Sequence, residues 1–508
     1  MDIIAGMHKR IKALRIRRKT KTACKHLHYD ILQDIFRFLD SATLRRCAEV
    51  CHYWREAAYH PCLWKGSVCK VQIGKWSPTL AHSLKLRGIS AVAILVEDPD
   101  IDSRQFVNQS DGENKESRDQ RLTEHKERMY IMMEQCSEIL QLRTLIYTGG
   151  YQWNMPAQFH SLTCLVLCNI EMNESGLQQI LLPLVNLTKL HINNQQREEF
   201  EGRALYKRGI MSFNCLKVSF TSRPNLKDLE VVGMSFAYCF PIEVVPSDVT
   251  YRGLQRLSLI DAISLSEHFL LQIAQKLPQL KHLVFAFYCN GHNLPFQPQF
   301  PELESLHVID CEGDDSYSQL FTVFRATPQL KALDVSIQTS QLTAISRLGS
   351  DLPFGHHFGL SESNVRQLIL SFPKLKVLNI SGNQGITTGA INDIFVNLNN
   401  IEVFIALQLH FNPSELKLNS PHLRSFLADI DPEFLRCIPS LRYRYHNSSI
   451  QTRVSGDQQL HTDYCDIWTE VLAGSNGWHK AHGTNFFYPP HINYVCTQDG
   501  RWDFKTTD

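Results

Sequence analysis

The hydrophobic positions of this chain follow two rhythms. Over residues 27–64 they keep a helical period: Ile31, Leu32, Ile35, Phe36 and Leu39 share one stripe, and Leu44, Cys47, Val50, Cys51 and Trp54 share a second. Asp40 or Ser41 can cap the second helix. Two or three short helices in about 40 residues cannot bury both stripes in a private core, so a neighbouring domain or a partner chain is expected to cover them. Beyond Trp64 the rhythm becomes L-x-x-L-x-L with conservative swaps. Its first position, the anchor, falls at Leu142, Leu162, Leu187, Leu226, Leu254, Leu280, Leu303, Leu330, Leu375, Ile401 and Leu423, and Ile89 with Val92 and Ile94 fits the same template. Eight of the ten steps from Leu142 to Leu423 are 20 to 28 residues long.

Such a pattern predicts one short strand per unit. In LTCLVLCN, Leu165 and Leu167 share a face because strand side chains alternate, and the residues between them point the other way. Asn169, Asn194 or Asp261 then stands at the turn, where a short polar side chain satisfies loop backbone groups. A helical stripe follows in most units: Leu177, Ile180, Leu181 and Leu184; Phe269, Leu270, Ile273 and Leu277; Ile391, Ile394, Phe395 and Leu398. One strand and one helix per unit, stacked in parallel, give a curved α/β solenoid with strands inside and helices outside. Two steps are too long, Leu187 to Leu226 and Leu330 to Leu375, and each holds either an insertion or a degenerate unit. Residues 97–128 are polar and of mixed charge, and read as a solvated loop or disordered insert. After about His446 the repeat pattern stops, and residues 446–508, with Trp468, Trp478 and Trp502, read as a cap on the solenoid's open end or a tail onto its inner face.

The segment Leu27–Trp64 resembles the F-box, the module that docks a receptor onto the Skp adaptor of a Skp–cullin–F-box ubiquitin ligase. Leu27, Ile31, Leu32, Ile35, Phe36, Phe38, Leu39, Leu44, Val50, Cys51, Trp54, Arg55, Pro61, Leu63 and Trp64 carry the resemblance in register. His28 stands where the family has proline and Asp30 where it has glutamate. His28 loses the fixed φ that favours a helix start, whereas Asp30 keeps an acid in the first turn, where the helix dipole favours it. The repeats resemble leucine-rich repeats, whose period is 20–29 residues. The stretch LKVLNISGNQGITTGAINDIF is similar to their cysteine-containing class, with Asn383 at the cysteine position, while Cys311 takes that offset after Leu303. Residues 27–95 resemble the partner-of-paired-like subgroup of F-box and leucine-rich-repeat proteins.

Composition narrows the function. Lys+Arg 52 against Asp+Glu 51 leaves a formal charge of +1, so no global field draws the chain to nucleic acid or lipid. A basic run from Lys9 to Lys25 reads as an import signal, an anionic-surface patch or a solvated arm, residues 1–26. No apolar run reaches membrane-spanning length, and the start lacks the apolar core of a secretory signal. Fifteen cysteines in such a chain point to free thiols and a cytoplasmic or nuclear setting. No phosphate loop, zinc helix or nucleophile elbow appears, and the cysteine pairs 47/51 and 164/168 are spaced i, i+4, not as a zinc ribbon. His356–His357 reads as a surface loop. No cofactor, metal site or catalytic residue is expected, and no cysteine stands out with a positioned base.

The resemblance implies a non-catalytic receptor that holds a target protein near a ubiquitin-charged enzyme. Its adaptor contacts would be Leu27, Ile31, Leu32, Ile35, Phe36, Leu39, Leu44, Val50, Cys51 and Trp54 of the F-box, residues 27–68. The target would lie on the strand face of the solenoid, residues 69–445, against side chains two, four and six positions after the anchors. Those are Lys189, His191, Asp228, Glu230, Arg256, His282, Ser305, His307, Asp334, Asn379 and Ser381. Both signs of charge are mixed in this set, so it selects no acidic or basic target. The partners expected are the Skp adaptor, cullin through it, and a protein substrate, with no membrane; the alternatives are a non-degradative leucine-rich-repeat scaffold bound to the Skp adaptor, or a nuclear factor that meets nucleic acid through the basic arm.

Overall fold

The computed structural model describes residues 27–428 with breaks, the longest over 96–114, 149–158, 208–218, 233–252, 287–298 and 337–358, and the strands at 443–445, 493–496 and 502–505. The basic arm, Asn169, Asn194, Asp261, Cys311, the His356–His357 pair and most of 446–508 lie outside the described residues.

Three helices open the chain: α1 (Tyr29–Phe36), α2 (Ser41–Ala48) and α3 (His52–Ala58), followed by a 3₁₀ turn at Pro61–Leu63. Leu32, Phe36, Leu44, Cys47, Ala48, Ala57, Ala58 and Leu63 form their core, so the three helices do bury part of their stripes privately. His28 adopts φ −56°, close to the value proline would impose, and the Tyr53 hydroxyl donates to the Leu27 carbonyl at 3.0 Å. The helix start is thus kept without the proline ring.

The strands follow the anchors. They are β1 (Ser67–Gln72), β2 (Ala91–Leu95), β3 (Thr144–Thr148), β4 (Cys164–Cys168), β5 (Lys189–Asn193), β6 (Gln196–Phe200), β7 (Arg203–Lys207), β8 (Asp228–Val232), β9 (Arg256–Ile260), β10 (His282–Ala286), β11 (Ser305–Ile309), β12 (Ala332–Asp334), β13 (Val377–Asn379), β14 (Val403–Ala406), β15 (Ser425–Ala428), β16 (Tyr443–Tyr445), β17 (Asn493–Cys496) and β18 (Trp502–Lys505). From β2 to β15 each strand of the main sheet begins two residues after an anchor, and every anchor is buried. Sixteen of the strands form one sheet in the order β16-β15-β14-β13-β12-β11-β10-β9-β8-β5-β4-β3-β2-β1-β18-β17, parallel from β1 to β16. The pair β17–β18 is antiparallel and joins the edge at β1, so the described part of the C-terminal segment adds strands at the end of the sheet that follows the helical domain.

Both long steps are insertions. Lys189 of β5 pairs directly with Asp228 of β8, and β6–β7 form a separate antiparallel hairpin between them. Ala332 of β12 pairs directly with Val377 of β13. A run of backbone bonds of 2.7–2.9 Å joins the residue after each anchor to its counterpart one unit earlier, from Arg143 N–H to Ser90 C=O up to Glu402 N–H to Lys376 C=O. This ladder passes both long steps unbroken, through Lys227 N–H to Thr188 C=O and Lys376 N–H to Lys331 C=O.

Helices α4 (Pro78–Leu86), α5 (Lys115–Gln135), α6 (Glu174–Leu181), α7 (Glu267–Lys276), α8 (Asp314–Phe324), α9 (Glu362–Ser371) and α10 (Thr388–Asn397) supply the other layer. Ser77, Ser361 and Thr387 cap α4, α9 and α10 by accepting from the Leu80, Asn364 and Ala390 amides. The described members of the predicted stripes, such as Leu177, Ile180 and Leu181 or Ile391, Ile394 and Phe395, are buried in one core that runs from Val71 to Phe426. The result is a solenoid-like α/β repeat fold behind a short helical domain.

The loop expected over 97–128 is corrected in its second half, because Lys115–Gln135 is helical. Its C-terminal turns carry Met129, Met132 and Met133 into the core, followed by Cys136 and Leu140 of a π-helical turn. That apolar end anchors a polar helix that Glu124–Arg128 pairing supports one turn earlier.

The helical domain is locked to the first unit. Trp64 packs against both cores and donates to the Ala58 carbonyl at 2.8 Å. The Arg87 guanidinium, at the end of α4, stacks over Tyr59 (4.2 Å) and Trp64 (5.4 Å). Gly88 follows at φ +70°, and a Cβ there would lie 2.9 Å from the Pro61 Cβ.

Candidate functional site

Two surfaces stand out, one on the helical domain and one on the sheet. On the first, side chains that look alike in sequence separate into two roles. Leu32 and Phe36, four residues apart on α1, point inward and are 1% exposed, and Leu44 joins them. Ile31 is 52% exposed, Val50 55% and Phe38 87%, with Leu27 also exposed. Ile35, Leu39, Cys51 and Trp54 are half-buried at the border between core and surface. Of the ten residues expected to meet an adaptor, Leu32, Phe36 and Leu44 therefore hold the domain together from within. Phe38 was absent from that set and is the most exposed large apolar side chain among the described residues; it stands in the turn just after α1. Isoleucine, phenylalanine and valine are thus left uncovered on a small domain.

The second surface is the sheet face opposite the helices. Register places side chains from successive strands in rows. The central row reads Ala93, Ile146, Val166, His191, Glu230, Ser258, Val284, His307, Asp334, Asn379 and Ile405. A polar band thus sits between apolar ends. At one end Val68, Ala93, Ile146, Val166 and Cys168 form their own cluster. At the other, Val403 and Ile405 are buried.

Within the band the charges alternate from strand to strand. The His191 ring lies between two carboxylates, 3.6 Å from Asp228 Oδ2 through Nε2 and 3.4 Å from Glu230 Oε1 through Nδ1. On the far side Arg256 donates to Glu230 Oε2 at 3.3 Å and lies 3.7 Å from Asp228 Oδ2. Burial alone would lower the His191 pKa, but Asp228 and then Glu230 overcome it and raise it to about 9. Burial would raise the two carboxyls, yet Arg256 and His191 hold Asp228 well below the usual carboxylate range, and His191 and then Arg256 lower Glu230. A second group gathers around the Asp334 carboxylate. Asp334 accepts from the Ser336 amide (3.0 Å) and hydroxyl (2.7 Å) and from Asn379 Nδ2 (3.0 Å), while Asn379 accepts from the amide and hydroxyl of Ser381 (3.1 and 2.7 Å). Burial pushes His307, 3.7 Å from Asp334, downward, and pushes His282 down to about 4 with Arg256 adding to it.

Of the eleven side chains expected to face a target, Lys189 is exposed and Asp228, His282 and Ser381 are half-buried. His191, Glu230, Arg256, Ser305, His307, Asp334 and Asn379 are buried. The structure gathers them in one band and spends most of their polar groups on each other. Ser258 and Ser336, which sequence reasoning left out, belong to the same band; Ser258 sits four residues after Leu254, the offset that selected its neighbours.

Asn383 is structural. It donates to the Val335 and Ile380 carbonyls, both at 2.9 Å, and accepts from the Leu360 amide at 2.8 Å. The seven described cysteines are free thiols, and burial pushes Cys164 up to about 12. Among the described residues no group of three or more ligating side chains could hold a metal ion, and no helix is long and apolar enough to cross a membrane.

Comparison with solved structures gives a Bacteroides fragilis protein from a structural genomics consortium, 14% identical, at a TM-score of 0.28. The match covers 53% of this chain and 65% of that protein's length, and the fold described above rests on this structure alone. The helical domain is similar to a family described as F-box-like, whose model matches residues 27–70.

Proposed function

We propose that this chain is the substrate-recognition subunit of a Skp–cullin–F-box ubiquitin ligase, built from an F-box and leucine-rich repeats. The observation that carries this reading is the exposure of Leu27, Ile31, Phe38 and Val50 on a domain that matches the F-box-like family. These side chains are already partly covered, so burying what remains exposed against an adaptor contributes roughly 3–7 kcal/mol gross, before the costs of association. The receptor does no chemistry of its own. It holds a target protein on the solenoid and raises its effective concentration at a ubiquitin-charged enzyme, leading to proteasomal degradation. The stacked Arg87 junction supports this role, because a fixed angle between the docking domain and the solenoid fixes where the target is presented. A cytoplasmic or nuclear setting accords with the free thiols. The resemblance of residues 27–95 to the partner-of-paired-like subgroup assigns no target.

The test is co-purification of the full chain with the Skp adaptor and cullin, beside the double variant Ile31→Asp, Phe38→Asp. Loss of both partners in a variant that still melts like wild type supports the reading. Adaptor without cullin turns the protein into a non-degradative scaffold. Neither partner on folded wild type removes the proposal.

A further inference from the structure

The turn that joins the helical domain to the first repeat brings together a thiol and a base. His60 caps the 3₁₀ turn Pro61–Leu63 by accepting from the Cys62 amide at 3.4 Å through Nδ1. That backbone donor needs a bare Nδ1, so the ring proton sits on Nε2. The same Nδ1 lies 2.9 Å from Cys62 Sγ, within reach of the thiol proton. A second observation comes from α1. Gln33 is nine-tenths buried and faces the sulfur, its Oε1 4.0 Å from Sγ, while its Nε2 has no hydrogen-bond partner among the described residues. A half-turn of the amide about χ3 would present that orphan N–H group to a negative sulfur or to an oxygen attached to it.

Exposure sets Cys62, together with Cys51 and Cys69, apart from the buried cysteines. Cys47, Cys136 and Cys168 are buried, and burial pushes the Cys136 and Cys164 thiols upward, which leaves them inert. Cys62 is half-exposed, with a base on one side and a buried amide on the other.

We propose that Cys62 is a reactive thiol, a modification site that hydroperoxides oxidise to the sulfenic acid. The thiol proton passes to His60 Nδ1, whose single lone pair releases the Cys62 amide as it takes the proton. The sulfur lone pair forms an S–O bond with one peroxide oxygen as the O–O bond breaks. The departing hydroxide (or alkoxide) takes the proton back from His60 and leaves as water or alcohol, so the sulfur is oxidised and the peroxide reduced. The Gln33 amide then bonds the new oxygen. This assignment is independent of the adaptor reading.

The experiment treats the full chain with hydrogen peroxide in the presence of a sulfenic-acid trap and follows trapping at each cysteine by peptide mass spectrometry. Cys62 is expected to react roughly a hundredfold faster than half-exposed Cys51, and His60→Asn to slow it by about the same factor, the lower end of what a positioned base contributes. Asparagine keeps an oxygen to cap the Cys62 amide but cannot take the proton. Trapping at buried Cys47 reports whether the variant has unfolded, in which case the wild-type ratio of Cys62 to Cys51 decides. A ratio near one, or an unchanged Cys62 rate in folded His60→Asn, overturns the proposal.

Discussion

Replacing His191 with glutamine tests whether the charges on the sheet face act as a cluster. In the folded protein Asp228 and Glu230 raise His191 from an ordinary value near 6.5 to about 9. The protonated ring is therefore favoured by the fold. A shift of this size corresponds to at most about 3 kcal/mol of stability. The contribution is fully present below the unfolded pKa near 6.5 and is lost as pH rises through about 9. On the neighbouring strands, burial keeps the Cys164 thiol of β4 protonated and the lowered pKa values of Asp228 and Glu230 on β8 keep them ionised between pH 6 and 9.5. Urea unfolding of wild type and His191→Gln across that range isolates the term. The variant should be less stable at pH 6, by up to about 3 kcal/mol, and the gap should close towards pH 9.5. A gap that stays constant with pH would refute the idea that the ring is charged between its two carboxylates.

On the helical domain, Phe38→Asp should leave the melting temperature unchanged and abolish adaptor capture, whereas Leu32→Ala should cost about 2–5 kcal/mol as a buried large-to-small change; calorimetry with a pull-down separates the two. Gly88→Ala places a Cβ against Pro61 at a positive φ and should destabilise the junction by about 1–2 kcal/mol or more, visible as faster proteolysis between the F-box and the first repeat; an unchanged cleavage rate counts against a tight junction. Asn383→Ala strands the Leu360 amide and two carbonyls, at about 1–3 kcal/mol for each unpaired group, and should lower the urea midpoint far more than Asn399→Ala on a surface turn.

The repeat architecture was legible because its signal is periodic. Each anchor leucine fixes where a strand starts, and alternation then decides which side chains enter the core. The two roles within residues 27–54 were not legible in the same way. Ile31 and Leu32 are adjacent, equally apolar and part of one wide stripe, and only the packing of α3 and the Pro61–Leu63 turn decides which is covered. The helix at 115–135 was hidden because its polar two-thirds have no stripe, and its helicity is anchored by methionines at one end. The sheet-face residues were located by offset, but their mutual pairing was not visible. It depends on register between strands that are 39 and 28 residues apart at their anchors, Leu187, Leu226 and Leu254. The His60–Cys62 contact is local in sequence, yet its meaning depends on Gln33, brought in from another helix.

The unbroken backbone ladder gives the protein a kind of modularity. Because Lys227 bonds Thr188 and Lys376 bonds Lys331 as closely as any other neighbours do, the extra residues of the two long steps add no rung and change no spacing. Segments at those places can be lengthened, shortened or exchanged over evolutionary time while the frame keeps its pitch. New recognition features can therefore be acquired at two points along the array without re-solving the folding problem for the rest of the chain.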